Sequence, residues 1–165
     1  IMVTFKGKAV SLQGKEVNVG DSAPKVERIA VELSAKRVGG DSGKFQIINV
    51  VPSLDTGVCA TQTRKFNEKA ASLSNPEVFV VSLDLPFAQG RFCSIEGIQN
   101  VVALSDFKNK AFGESYGVIL AGSPLEGLLT RAVFVVNPEG KVVHKEIVSE
   151  VTNEPNYDAA LAAVK

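Results

Sequence analysis

Two apolar runs, Phe45-Gln46-Ile47-Ile48-Asn49-Val50-Val51 and Val78-Phe79-Val80-Val81-Ser82-Leu83, constrain this chain more than any other feature. Near-continuous apolar runs of this length suit strands covered on both faces, the condition of parallel sheets. Pro52 ends the first run, and the stretch from Gly57 to Leu73 carries a helical pattern. At about 100° per residue, Cys59, Thr63, Phe66, Ala70 and Leu73 share one sector, with Arg64, Lys65 and Glu68 opposite. Strand, helix and strand in this succession predict a right-handed β-α-β unit with parallel strands.

The flanks extend the unit. Val3–Phe5 and Ala9–Leu12 read as a hairpin with Gly7 and Gly14 as turn residues, and Val26 to Leu33 as a weaker strand before the turn cluster Gly39–Gly43. Ala88 to Ile98 is weakly helical and carries Cys93, and Val101 to Leu104 reads as a short strand. Asp106 then caps a helical stretch through Tyr116. In the glycine-rich Gly117–Leu129, the first four residues can pair as a strand. Arg131–Val136 is a third core strand, Asn137-Pro138-Glu139-Gly140 turns it, and Lys141–Val148 returns. A last helix over Pro155–Leu161 has Asn153 near its cap and Pro155 in its first turn. The expected fold is α/β and thioredoxin-like, a central mixed β-sheet flanked by helices with an N-terminal β-hairpin. At 165 residues, one domain spanning the whole chain is expected.

Charge and composition exclude several classes. Eighteen basic and eighteen acidic side chains cancel, leaving none of the basic excess of a nucleic-acid binder. No apolar run approaches the roughly 18 residues of a membrane span, so no membrane partner is expected. IMVTFKGKAV lacks the apolar core and cleavage site of a secretory signal, which favours a cytoplasmic location. With two cysteines and one histidine, Cys59, Cys93 and His144 fall short of a four-ligand zinc site. There is no CxxC pair of the thioredoxin type.

The strand-to-helix loop Pro52–Cys59 lies where open α/β sheets gather reactive groups. A thiol in a first helical turn faces unsatisfied N–H groups and the positive end of the helix dipole, which favour the nucleophilic thiolate. An ordinary thiol is only about 3% ionised at neutral pH, so even full ionisation adds about thirty-fold; faster chemistry also needs geometry and donors to the developing charge. Thr56, three residues before Cys59, fits an N-cap whose hydroxyl could also reach a thiolate; capping alone is the plainer reading. Arg131 opens an otherwise apolar strand and needs an anionic partner, for which a thiolate serves as well as a carboxylate. An ordinary strand-end arginine is the plainer reading. Arg64 is expected to point outward, as is His144 on its strand. Cys93, beside Phe92 and Ile95, reads more readily as a buried small hydrophobe than as a reactive thiol. Gly90, Gly97 and Gly113 read as turn or boundary glycines.

Pro52-Ser53-Leu54-Asp55-Thr56-Gly57-Val58-Cys59 resembles the peroxiredoxin motif PxxxTxxC. Followed by Arg64-Lys65-Phe66-Asn67, it is similar to the bacterial thiol peroxidases, the atypical two-cysteine subfamily. So are Asp84-Leu85-Pro86-Phe87-Ala88-Gln89-Gly90-Arg91-Phe92-Cys93, Leu128-Leu129-Thr130-Arg131-Ala132-Val133 and Glu154-Pro155-Asn156-Tyr157. The resemblance implies a peroxidatic Cys59 and a resolving Cys93, joined in one chain as a disulfide. It implies that Thr56 and Arg131 polarise peroxide and steady the thiolate while Pro52 shields the pocket. It further implies reduction of hydrogen peroxide and alkyl hydroperoxides, recycling by thioredoxin, a homodimer, and no metal, haem or flavin. A non-catalytic thioredoxin-like binding domain and a protein disulfide exchanger are the rival functions.

Overall fold

The computed structural model describes residues 3–71, 73 and 76–164. In chain order, β1 (Val3–Phe5) and β2 (Lys8–Gln13) are followed by β3 (Val26–Ala30), β4 (Ala35–Val38) and β5 (Gln46–Val50). Helices and strands then alternate as α1 (Gly57–Ala70), β6 (Glu77–Ser82), α2 (Pro86–Glu96), β7 (Val102–Ser105), α3 (Ala111–Tyr116) and β8 (Ile119–Ala121). The chain ends with β9 (Ala132–Val136), β10 (Val142–Ile147) and α4 (Tyr157–Ala162).

The main sheet has the order β10-β9-β5-β6-β7-β3-β4. Strands β5, β6 and β7 are parallel, as the apolar runs predict, and the outer pairings are antiparallel. Alternate residues of the central strands feed two cores. Ile48, Val50, Phe79, Val81 and Phe134 pack with Phe112 and Tyr116 of α3 on one face. Ile47, Val78, Val80, Val133 and Val135 pack with Cys59 and Phe66 of α1 and Ala160 of α4 on the other. The N-terminal hairpin joins β8 in a separate three-stranded sheet, over a small core of Val3, Val10, Leu120 and Val151.

Several local expectations need correction. Strand β4 was not foreseen, because Ala35-Lys36-Arg37-Val38 has little apolar character; it is an edge strand, where exposed charges deter further pairing. Helix α1 stops at Ala70 with Ala71 as its cap, short of Leu73. Helix α3 starts at Ala111 rather than near Asp106, since Asn109 and Lys110 adopt left-handed φ values of 55° and 52°. Asp106 still acts on that helix from a distance, both carboxylate oxygens accepting from the N–H groups of Phe112 and Gly113 at 2.9 Å. The cap of α4 is Asn156, whose Oδ1 accepts from the Ala159 N–H at 3.0 Å; Asn153 and Pro155 precede the helix. Gly90 and Gly113 lie inside helices, and of the three expected boundary glycines Gly97, at φ 66°, alone ends one. His144 is half-buried, with Nε2 unpartnered and its pKa lowered by burial, rather than turned fully outward.

Candidate active site

The site forms where β5 hands over to α1. Pro52 is buried, and the next two residues are tied to the loop after β6: Ser53 Oγ donates to Asp84 Oδ1 and the Leu54 N–H to Asp84 Oδ2, each at 2.8 Å. Ser82 Oγ donates to the same carboxylate at 2.7 Å. Asp84 thereby locks together two loops at the carboxyl ends of neighbouring parallel strands. Thr56 is the N-cap of α1 as expected; its Oγ1 accepts from the Cys59 N–H at 3.4 Å and donates to the Ser53 carbonyl at 3.2 Å.

Cys59 sits in the first turn of α1, fully buried, with no acidic residue in that turn. Topology brings Arg131 to it. Strand β9 runs antiparallel to β5, and Ala132 pairs with Val50, so the residue just before β9 lies at the end of β5 where α1 begins. Arg131 is 2% exposed; its Nε donates to the Val151 carbonyl at 2.7 Å and its Nη1 to Cys59 Sγ at 3.3 Å. Among the described residues no carboxylate lies within ion-pairing distance of Arg131. A buried cation is costly without polar partners; the Cys59 sulfur is one of those it meets here, and the Glu154 carboxyl also feels its positive charge.

Two further residues belong to this arrangement and were not anticipated. Gln62 Oε1 accepts from Arg131 Nη1 at 3.0 Å, and Gln62 Nε2 donates to Asn49 Oδ1 at 3.3 Å. Asn49 Nδ2 donates to the Phe79 carbonyl at 3.1 Å, and both amides are fully buried. Gln62 falls about 60° from Cys59 on the helical wheel, at the edge of the inward sector. A polar residue there, and another in the middle of an apolar strand, were the available signals, since buried amides require partners.

Cys93 stands apart. It is half-buried on α2, packs at the margin of the core that holds Cys59, and burial pushes its thiol pKa up. Both cysteines are free thiols. Arg64, half-exposed, joins the two cysteine-bearing helices through Glu96 at 2.9 Å. A groove of about 310 Å³ along α2 is lined by Ala88, Arg91, Phe92, Ile95 and Glu96 of that helix and by Asp55 from the loop before α1. Two stretches quoted for their resemblance also meet: Lys65 Nζ pairs with Glu154 Oε1 at 2.9 Å, the Tyr157 hydroxyl donates to the same oxygen at 2.8 Å, and the Phe66 and Tyr157 rings are 5.1 Å apart. Among the described residues no cluster of three or more His, Cys, Asp or Glu is placed to hold a metal ion, and no helix is long and apolar enough to cross a membrane.

The Redoxin family model matches residues 18–161. A thiol peroxidase from Campylobacter jejuni is 57% identical over 155 residues, covering 94% of this chain and 87% of that one. The thiol peroxidase of Bacillus subtilis is 48% identical over 163 residues, covering 99% and 96%. The structure of a peroxiredoxin-like protein from Aquifex aeolicus superposes with a TM-score of 0.94 at 47% identity, over 98% of this chain and 95% of that one. A thiol peroxidase from Chromobacterium violaceum, only 19% identical, shares the fold with a TM-score of 0.89 over 98% and 94% of the two chains. With a redoxin match over most of its length and relatives this similar, the chain belongs to the redoxin family and, within it, to the thiol peroxidases.

Proposed function

We propose that Cys59 is the attacking sulfur of this peroxidase and Cys93 the thiol that resolves it. The observation that carries this reading is the buried Arg131 guanidinium, which donates to Cys59 Sγ at 3.3 Å and, among the described residues, forms no salt bridge. The Cys59 thiolate attacks one oxygen of a hydroperoxide and the O–O bond breaks. Sulfur keeps one oxygen as a sulfenic acid, and the other leaves with a proton as water or an alcohol. Preorganised donors, here the N–H groups of the Arg131 guanidinium, stabilise the charge that moves onto the leaving oxygen. Thr56, capping the helix beside the sulfur, supplies a hydroxyl to the same site, and buried Pro52 limits the approach of water.

Cys93 then condenses with the sulfenic acid, expelling water and leaving a Cys59–Cys93 disulfide. A thioredoxin-type dithiol reduces this bond by exchange. Because the cysteines lie on different helices, closing the bond involves loosening the first turn of α1 and part of α2, including the Arg64–Glu96 pair. Hydrogen peroxide and alkyl hydroperoxides are the proposed substrates, and the groove lined by Phe92 and Ile95 offers apolar surface to an alkyl group. Exposed Leu85, Phe87 and Ile95, at 51%, 69% and 68%, support a homodimer that covers α2. A bacterial cytoplasmic location fits a cycle that depends on a reduced dithiol partner.

Stopped-flow consumption of hydrogen peroxide by the parent, Cys59→Ser and Cys93→Ser tests the assignment. Cys59→Ser is expected to be inert, whereas Cys93→Ser turns over once and then cycles only with a small thiol. Full thioredoxin-linked turnover by Cys93→Ser would remove it as the resolving residue.

A further inference from the structure

Asn49 lies one residue removed from the Arg131 guanidinium, and the chain of bonds between them has an enforced direction. Arginine only donates hydrogen bonds, so it needs an oxygen from Gln62, and Oε1 is the atom it meets at 3.0 Å. That choice turns Gln62 Nε2 toward Asn49, where only an oxygen can accept it, at 3.3 Å. Asn49 is then left with Nδ2 toward the Phe79 carbonyl at 3.1 Å, and a carbonyl only accepts. The donor-only end and the acceptor-only end thus dictate the orientation of both amides between them. Without an acceptor at position 49, a fully buried Gln62 amide loses the partner that holds its oxygen toward Arg131.

We infer that Asn49 is a positioning residue for peroxide reduction, setting which atom of the Gln62 amide faces the Arg131 guanidinium. The inference rests on the reading of Cys59 as the attacking sulfur, and it extends the active site into the central strand β5.

The test compares the effect of Asn49→Leu in two backgrounds, the parent and Gln62→Glu. A carboxylate presents an oxygen whichever way it turns, so in the second background the orientation needs no setting. Asn49→Leu is expected to slow the second-order reaction of Cys59 with hydrogen peroxide about five-fold in the parent, and not to slow it in Gln62→Glu. Equal slowing in both backgrounds overturns the inference, because a packing defect does not depend on residue 62. Thermal melts establish that each variant folds, and Asn49→Ala, which adds no apolar bulk, carries the same comparison if Asn49→Leu does not. Cys59→Ser separates the two levels. A reactive Cys59→Ser overturns the site itself, while an inert Cys59→Ser with equal slowing overturns only the role of Asn49.

Discussion

Arg131 does what a lysine in its place does not. Its planar fork donates from Nε to the Val151 carbonyl and from Nη1 to Cys59 Sγ and Gln62 Oε1, so one side chain is fixed by the backbone and by an amide while facing the sulfur. Arg131→Lys keeps the charge but loses this geometry. Since a hydrogen bond to a charged group contributes about 1.5–3 kcal/mol, peroxide reduction should fall about 10- to 100-fold in stopped-flow. A change within two-fold would show that charge alone suffices. Position in the chain was enough to flag Cys59, Thr56 and Arg131, since each is a chemically distinctive residue at the edge of a regular element. Their mutual placement was not legible, because it depends on β9 running back along β5. Gln62 and Asn49 went unnoticed for a related reason: an amide looks like any surface polar residue until burial shows that it must be satisfied.

Individual elements are held to one another by a few polar ties. Glu150 is the clearest, as its carboxylate accepts from the Thr4 hydroxyl, the Lys6 and Gly7 N–H groups and Thr152, pinning the β1–β2 hairpin onto the segment after β10. The backbone N–H of Gly7 is the foremost cause, with that of Thr152 next, of a carboxyl pKa pushed down from 4.5 to about 2. A folded-state value below the unfolded one means the contribution is complete above about pH 4.5 and is lost as pH falls through about 2. The protection of the Gly7 amide, taken relative to its intrinsic exchange rate at each pH, should therefore fall over that acid window, and Glu150→Gln should remove the dependence; constant protection in the parent would rule the tie out. Strands and helices with strong periodicity were readable in advance, β5, α1, β6 and β9 among them. Strand β4 and the start of α3 were not. The first is a charged edge, and the second is set by two left-handed residues and by Asp106 reaching across the turn.

At the level of the whole molecule, the architecture followed from two apolar runs and the helix between them, whereas the glycine-rich stretch showed that Gly117–Leu120 can pair as a strand but not that it joins the N-terminal hairpin. The surface carries its own expectation. If a second copy covers α2, Phe87→Asp places a charge at the centre of that contact, and sedimentation velocity should show the dimer replaced by monomer at micromolar concentration. An unchanged sedimentation coefficient would place the dimer contact elsewhere. The segment from Ser149 to Tyr157 touches almost every part that matters: its backbone receives Thr4 and Arg131, and its side chains close on α1 through Lys65 and Phe66. This has a consequence for the order of synthesis. Cys59 and the whole of α1 leave the ribosome long before Val151 does, so a growing chain carries the sulfur without the carbonyl that anchors its guanidinium. If Cys59 is the attacking sulfur, its fast reaction with peroxide therefore waits until Val151 has been made and has folded against Arg131.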